Sequence, residues 1–247
     1  MEIEAAAFIA ASFAFGNVGQ IRSFLERLFM ALPPSPHAAL TGPQPVPMMR
    51  VSGLRHRFIS PAGVHRFLGC VRAVYLRHGS LEALFLRGMK ASGKGAREPL
   101  ARFLEGFRAE WGPGFSRERD FLFPDPRKGS ACKRHNLFLR WMVRGKDGVD
   151  LGIWTILSPR VLIVPVDTHM ARMGRMLGLT LRGSADWKMA EEITGAFRAV
   201  CPDDPVKFDY ALTRIGILGG CVPRRPGACG FCAVARACAG RKTPPGI

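Results

Sequence analysis

An all-α fold is what this sequence predicts, on three observations. Apolar residues recur at helical spacing along most of the chain, and no stretch sustains a period of two. The one β-like run, Val161-Leu162-Ile163-Val164, is short and isolated. Serines, aspartates, prolines and glycines fall where helices start and stop. At 247 residues and 47% hydrophobic content, the chain can build one large domain or two modest ones.

Residues 3–31 carry helical periodicity through Ile9, Phe13, Ile21, Phe24, Leu25, Leu28 and Phe29, and Phe15-Gly16-Asn17 divides them into two helices or bends one. Pro33 to Pro47 is too proline-dense for a single helix and reads as a loop with a short turn inside. A helix follows with Ser60 as cap, Pro61 at its first position and Gly79 as stop; another starts after Ser80. Arg97 to Trp111 gives a further helix, with Leu100, Phe103, Leu104 and Phe107 on one stripe. The chain contains no internal repeat.

A net charge of +17 favours a polyanionic partner, because each Lys or Arg laid on a phosphate releases condensed counterions. An arginine preference in the source genome is the competing explanation. Met1 to Gly16 is apolar, but it carries Glu2 and Glu4 where a leader would be basic, and it is too short to span a bilayer. A soluble, cytoplasmic, nucleoid-associated protein is therefore expected. Four of the seven cysteines crowd into residues 221–238, which is not the even spread of a secreted disulfide framework.

Chemistry concentrates between Gly129 and His169. Ser130 is positioned to cap a helix beginning Ala131-Cys132-Lys133, with Leu137, Phe138, Trp141 and Met142 as its buried stripe. Lys133 lies four residues before Leu137 and so heads that stripe: a candidate amine nucleophile, or a lysine that covers the helix end with its stem. The proline-punctuated turn Phe123 to Gly129 precedes it, and exposed amides at Gly129 and Ser130 would suit a phosphate. Asp167 follows an apolar run and opens a helix whose core stripe is Met170, Met173, Met176 and Leu177. It is an N-cap on that reading, and capping would hold a catalytic carboxylate in place.

Cys221-x7-Cys229-x2-Cys232-x5-Cys238 has the crowding of a metal site. Zinc more often takes two close pairs; the unequal gaps here suit a [4Fe–4S] cluster. Arg224, Arg225, Arg236, Arg241 and Lys242 surround it.

These residues resemble, in order, the motifs of the helix-hairpin-helix-GPD superfamily of DNA glycosylases, typified by endonuclease III. GSACK, Gly129 to Lys133, is similar to the hairpin G-x-G-x-K, with Ala131 at the second glycine. VPVDTH, Val164 to His169, is similar to the V-D-T-H around the catalytic aspartate. The cysteine loop is similar to C-x6-C-x2-C-x5-C, with one extra residue in its first gap. The connection from Lys133 to Asp167 is longer than in endonuclease III and more like that of the archaeal 8-oxoguanine glycosylases.

The resemblance implies two helical domains with a cleft between them: residues 1–145, a helical barrel ending in the hairpin and lysine helix, and residues 146–247, carrying the iron–sulfur loop. It implies a monomer on double-stranded DNA that everts a damaged base, with 8-oxoguanine or another oxidised base as the expected lesion. Lys133 would attack C1′, expel the base and form a Schiff base leading to strand cleavage, and Asp167 would stabilise the developing positive charge on the sugar. Lys128, Gly129, Ser130, Arg134, Arg224 and Arg225 are the expected DNA contacts. Ser12, Phe13, Phe15, Gln20 and Trp141 are the expected base pocket, with core packing as the rival reading of each aromatic. Cys221, Cys229, Cys232 and Cys238 are the expected cluster ligands. Three alternatives stay open: a monofunctional glycosylase using Asp167 with water, a non-catalytic iron–sulfur DNA-binding protein, and a basic zinc module.

Overall fold

The structure, a computed structural model, describes residues 1–91, 95–114, 116–145, 147–218, 229–230 and 232–238. Among these residues there are twelve α-helices and no strand. The first four are α1 (Glu2–Ser12), α2 (Val18–Met30), α3 (Pro36–Thr41) and α4 (Met48–Val51). Then come α5 (Pro61–His78), α6 (Leu81–Lys90), α7 (Arg97–Trp111), α8 (Arg117–Leu122) and α9 (Lys133–Val143). The last three are α10 (Thr168–Met176), α11 (Trp187–Val200) and α12 (Asp209–Leu218). No helix among the described residues is long and apolar enough to cross a membrane.

Local chemistry accounts for the boundaries. The Ser60 hydroxyl accepts the Gly63 N–H at 3.0 Å and caps α5, which ends at Gly79 with φ +80°. The Ser80 hydroxyl accepts the Ala83 N–H at 3.0 Å and starts α6 at once. Asn17 caps α2 in the same way, so the 15–17 break separates two helices. The proline-dense stretch contains one short helix, α3. The Val161–Val164 run forms no strand: a 3-10 turn covers Pro159–Val161, and the Val164 N–H donates to the Thr194 hydroxyl on α11 at 3.0 Å.

α1 is enclosed on nearly every side, with Ala5, Ala7, Phe8, Ile9 and Ala11 all buried, and it packs against α3 and α9. The Phe8 ring lies 4.7 Å from Phe107, 5.1 Å from Phe138 and 6.0 Å from Phe67, joining α1 to α7, α9 and α5. Into this shell the helix brings Glu4, only 2% exposed. Its carboxylate accepts Tyr75 Oη at 2.9 Å, the backbone N–H groups of Leu81 and Glu82 at 3.2 and 3.1 Å, and Trp154 Nε1 at 2.8 Å. A buried carboxylate is tolerated only when such donors replace its lost water.

α9 is buried on an unusually wide arc. Phe138, Leu139, Met142 and Val143 are in the core, whereas Lys133, Leu137 and Trp141 share a half-buried face. The expected stripe is thus rotated, because two arginines of this helix go inside as well. Arg140 pairs with Asp150 at 3.1 Å and Asp209 at 2.5 Å, and Arg144 pairs with Asp150 and with Asp204 at 2.9 Å. Burial pushes the Asp209 carboxyl up to about 6 against the pull of Arg140. The chain after α9 folds back on it: Leu151 and Gly152 donate to the Trp141 carbonyl and Trp154 to that of Met142, which satisfies helix-end acceptors. Gly152 has φ +60°, and a Cβ there would lie 2.7 Å from the Cα of Gly145, so the fold-back needs glycine.

One apolar core runs on both sides of residue 145, holding Phe8 and Phe103 together with Trp154, Val164, Met170 and Ile193. α10 packs on α12 at its far end.

Replacing Glu4 with alanine would strand four buried donors. The expected loss of unfolding free energy is about 3 kcal/mol or more, with Glu4→Gln retaining part of it, as read by urea titration.

Candidate active site

The polar turn before α9 is built from local hydrogen bonds. Asp125 accepts the Arg127 N–H at 2.9 Å, a 3-10 turn covers Pro126–Lys128, and Gly129 takes φ +92°. The Ser130 hydroxyl accepts the Cys132 N–H at 3.2 Å. Cys132, not Ser130, is the residue that opens the helix: it has φ +45° and ψ +37°, and its carbonyl accepts the Asn136 N–H at 2.9 Å. The helix therefore starts two residues later than the cap rule suggests. Ala131 does not carry positive φ, so the turn reverses at Gly129 and Cys132 without a glycine at 131. The assembly is clamped to α11, because the Gly129 carbonyl accepts the Trp187 N–H at 2.9 Å and Ser130 forms a β-bridge with Asp186.

Lys133 opens α9 at the wall of a cavity of about 690 Å³. Phe15, Gly16, Lys128, Ser130 and Arg134 line the same cavity, as do Arg108, Asp120, Phe121, Asp125 and His135. Val166, the residue before Asp167, lines it as well. Asp167 caps α10, its Oδ1 accepting the Met170 N–H at 2.7 Å.

The acids of the cavity are occupied. Asp120 pairs with Arg108 at 2.9 Å and Arg119 at 3.0 Å, and Asp125 pairs with Arg127 at 3.0 Å. Partial burial opposes ionisation of Asp120, but the hydrogen bond from Arg119 and the charges of Arg108 and Arg119 outweigh it and hold the carboxyl below its ordinary range. Lys128 and Lys133 form no ion pair among the described residues. The cavity consequently offers two unpaired ammonium groups beside paired acids.

The other expected site residues fall into three groups. Arg134, expected at DNA, is 8% exposed; its guanidinium donates to the Ser12 and Phe121 carbonyls and lies 4.3 Å from the Phe121 ring and 5.1 Å from that of Phe15. It braces the cavity wall from behind, which is why its charge is not at the surface. Of the expected base pocket only Phe15 lines the cavity. Ser12 and Phe13 are buried in the core because α1 is enclosed, Trp141 is half-buried farther along α9, and Gln20 is exposed at a second concavity. Cys221, Arg224 and Arg225 lie outside the described residues.

Phe121, Asp120 and His135 are cavity residues that the sequence reading missed. Nothing in the local pattern marks Phe121, whose ring meets that of Phe15 at 4.7 Å across more than a hundred residues of chain. His135 is 1% exposed, and burial holds its imidazole well below the usual titration range.

Cys229, Cys232 and Cys238 are half-buried free thiols in consecutive tight turns, with the Cys232 N–H donating to the Cys229 carbonyl at 3.4 Å. Thiolates are donors that iron and zinc both take, but among the described residues no three such side chains come together as a metal-holding group.

A family model described as Protein of unknown function (DUF2400) matches residues 1–218. No curated protein and no solved structure matches the chain.

Burial pushes the Cys132 thiol, next to Lys133, up to about 12, and the Cys70 thiol on α5 likewise to about 12, both from an ordinary 9.0. Both thiols should resist iodoacetamide at pH 8 in the folded protein and react once it is unfolded, as read by peptide mass spectrometry. An acid whose folded value is raised favours the folded state below its unfolded value, so this contribution should be lost as pH climbs from about 9 to about 12.

Proposed function

The chain belongs to the DUF2400 family, and we propose for it the activity of a DNA-repair glycosylase with lysine-dependent strand cleavage. The observation that carries this reading is that Lys133 opens onto the large cavity that Val166 also lines, one residue from the capped carboxylate of Asp167. The partner is double-stranded DNA carrying a damaged base, the protein acts as a monomer, and the best candidate lesion is 8-oxoguanine or another oxidised base.

The duplex docks on the turn, where Lys128 and the amide of Ser130 hold phosphate; the Gly129 N–H, expected to join them, is spent on the Pro126 carbonyl at 3.1 Å. Eversion brings the damaged nucleoside into the cavity, against the edges of Phe15 and Phe121. The Lys133 ammonium gives a proton to the departing base as its nitrogen attacks C1′, and the C1′–N bond to the base breaks with its electron pair leaving on the base. The nitrogen then passes a proton to O4′ as the C1′–O4′ bond breaks, and the resulting Schiff base loses a C2′ proton as the C3′–O bond breaks and the 3′ phosphate leaves, cleaving the strand. Asp167, held by its cap bond, stabilises the positive charge that builds on the sugar.

Cys221, Cys229, Cys232 and Cys238 would hold a [4Fe–4S] cluster. When bound, that group would be structural, tying together the cysteine loop in which Arg224 and Arg225 occur in the sequence.

On duplexes bearing single oxidised bases, sodium borohydride should trap a covalent adduct that Lys133→Gln abolishes. Asp167→Asn should keep its thermal midpoint, since Asn caps nearly as well, while base release falls by about a hundredfold or more. Release without an adduct would assign the monofunctional route, and release from no lesion would reject the enzyme. The purified protein should show a broad absorbance shoulder near ~400 nm that is lost with iron; stoichiometric zinc without colour would reject the cluster.

A further inference from the structure

A second concavity, of about 380 Å³, lies between α2, from its first turn to its last, and the residues 55–57 that follow α4. Gly19, Gln20, Ser23, Phe24, Arg27, Arg55, His56 and Arg57 line it. Three of these are arginines, none is acidic, and none of the three arginines forms an ion pair among the described residues. Phe24, the one large apolar lining residue, is only 1% exposed, so the concavity gives an apolar ligand little to rest on.

Arg57 is held in place by more than its own preference. It takes φ +55°, a left-handed backbone uncommon outside glycine. That turn lays its side chain over Gly16, so that a Cβ at residue 16 would lie 3.0 Å from the Arg57 Cδ. Beside it the buried His56 shares a hydrogen bond between its Nε2 and the Phe15 carbonyl at 2.9 Å, and its ring meets that of Phe15 at 4.5 Å. Phe15 and Gly16 both line the cavity of Lys133. The two concavities therefore share a wall, with His56 and Arg57 on one side and the reactive amine's cavity on the other.

We infer that this arginine-lined concavity is a second binding site, one for the phosphodiester backbone of DNA, gripping the substrate beyond the cavity that holds Lys133. The inference rests on the glycosylase reading for the identity of the polyanion. Guanidinium forks match phosphate oxygens in a bidentate way that lysine cannot, and a phosphate is the ligand that three unpaired forks without an acid would select. The Gly19 amide is already taken by Asn17 Oδ1 at 2.8 Å, so the arginines and not the helix end supply the donors. Phosphates recur every ~3.4 Å of axis along one strand, which lets a duplex seated at one concavity continue into its neighbour.

The test is the salt dependence of duplex binding by fluorescence anisotropy, with the full-length protein and an undamaged duplex. The variant carries Arg27→Gln, Arg55→Gln and Arg57→Asn, the last because Asn accepts a left-handed backbone. A control removes three exposed charges outside both concavities, with Arg66→Gln, Arg87→Gln and Lys90→Gln. The expected result is a log–log salt slope shallower by roughly two to three than that of the parent, at about 0.9 per phosphate contact. The control should lose less than roughly one, with both thermal midpoints near the parent value. An unchanged variant slope, or an equal loss in the control, would overturn the inference and leave the glycosylase reading standing. A shallower variant slope with no base released from any lesion would do the reverse. Inorganic phosphate raising the parent's thermal midpoint but not the variant's, with the duplex slope unchanged, would assign the concavity to a free anion and overturn it too. A parent that binds no duplex would overturn both.

Discussion

The Glu4 carboxylate is the constraint from which the arrangement follows. It sits on a helix enclosed on nearly every side, and it gathers donors from α5, from the start of α6 and from the connection after α9. A charge in such a place is costly unless every lone pair finds a donor. The three segments that supply those donors are consequently fixed against α1 by more than apolar contact, which alone would tolerate sliding. The Tyr75 hydroxyl pays part of the cost: burial first, then the neighbouring Glu4 charge, pushes its ionisation far above the ordinary range. Because α9 packs on α1, the register of that first helix also decides where the amine at residue 133 stands.

α9 carries the second buried polar device. Arg140 and Arg144 hold Asp150 on the fold-back and Asp204 and Asp209 at the entry to α12. Apolar residues of similar volume often serve stability as well as buried ion pairs do. What the ions add here is direction: a guanidinium fork has few acceptable partners, so the connection and the last helix approach α9 in one way. The same helix thus presents its amine at one end and fastens the chain that bears Val166 and Asp167 at the other.

Much of the fold was legible because helix boundaries are local. Ser60, Ser80, Gly79 and Asp167 do what their side chains and backbone preferences dictate within four residues. The lysine at the head of a helix and the aspartate at the head of another were visible for the same reason. What escaped was non-local. Arg134, Arg140 and Arg144 look like solvent-facing residues until their partners, up to 122 positions away, are known. Phe121 joins Phe15 at the cavity only through the packing of α8, and Ser12 and Phe13 lose their place there because α1 is enclosed. The start of α9 was misjudged for a different cause: a left-handed cysteine is improbable on backbone grounds, and the tertiary clamp on the turn overrides that preference.

That clamp has a mechanical corollary. The carbonyl of Gly129 and the amide of Trp187 are joined, so α11 is effectively a handle on the turn beside the amine. Any load applied to the turn is shared with a fourteen-residue helix whose inner side buries its own Met189, Ala190, Ile193 and Phe197. A ligand pulling there would work against an anchored lever, not a loose strap. Sequence changes around Ser184 to Trp187, distant along the chain, would therefore be felt at position 133 as changes in aim.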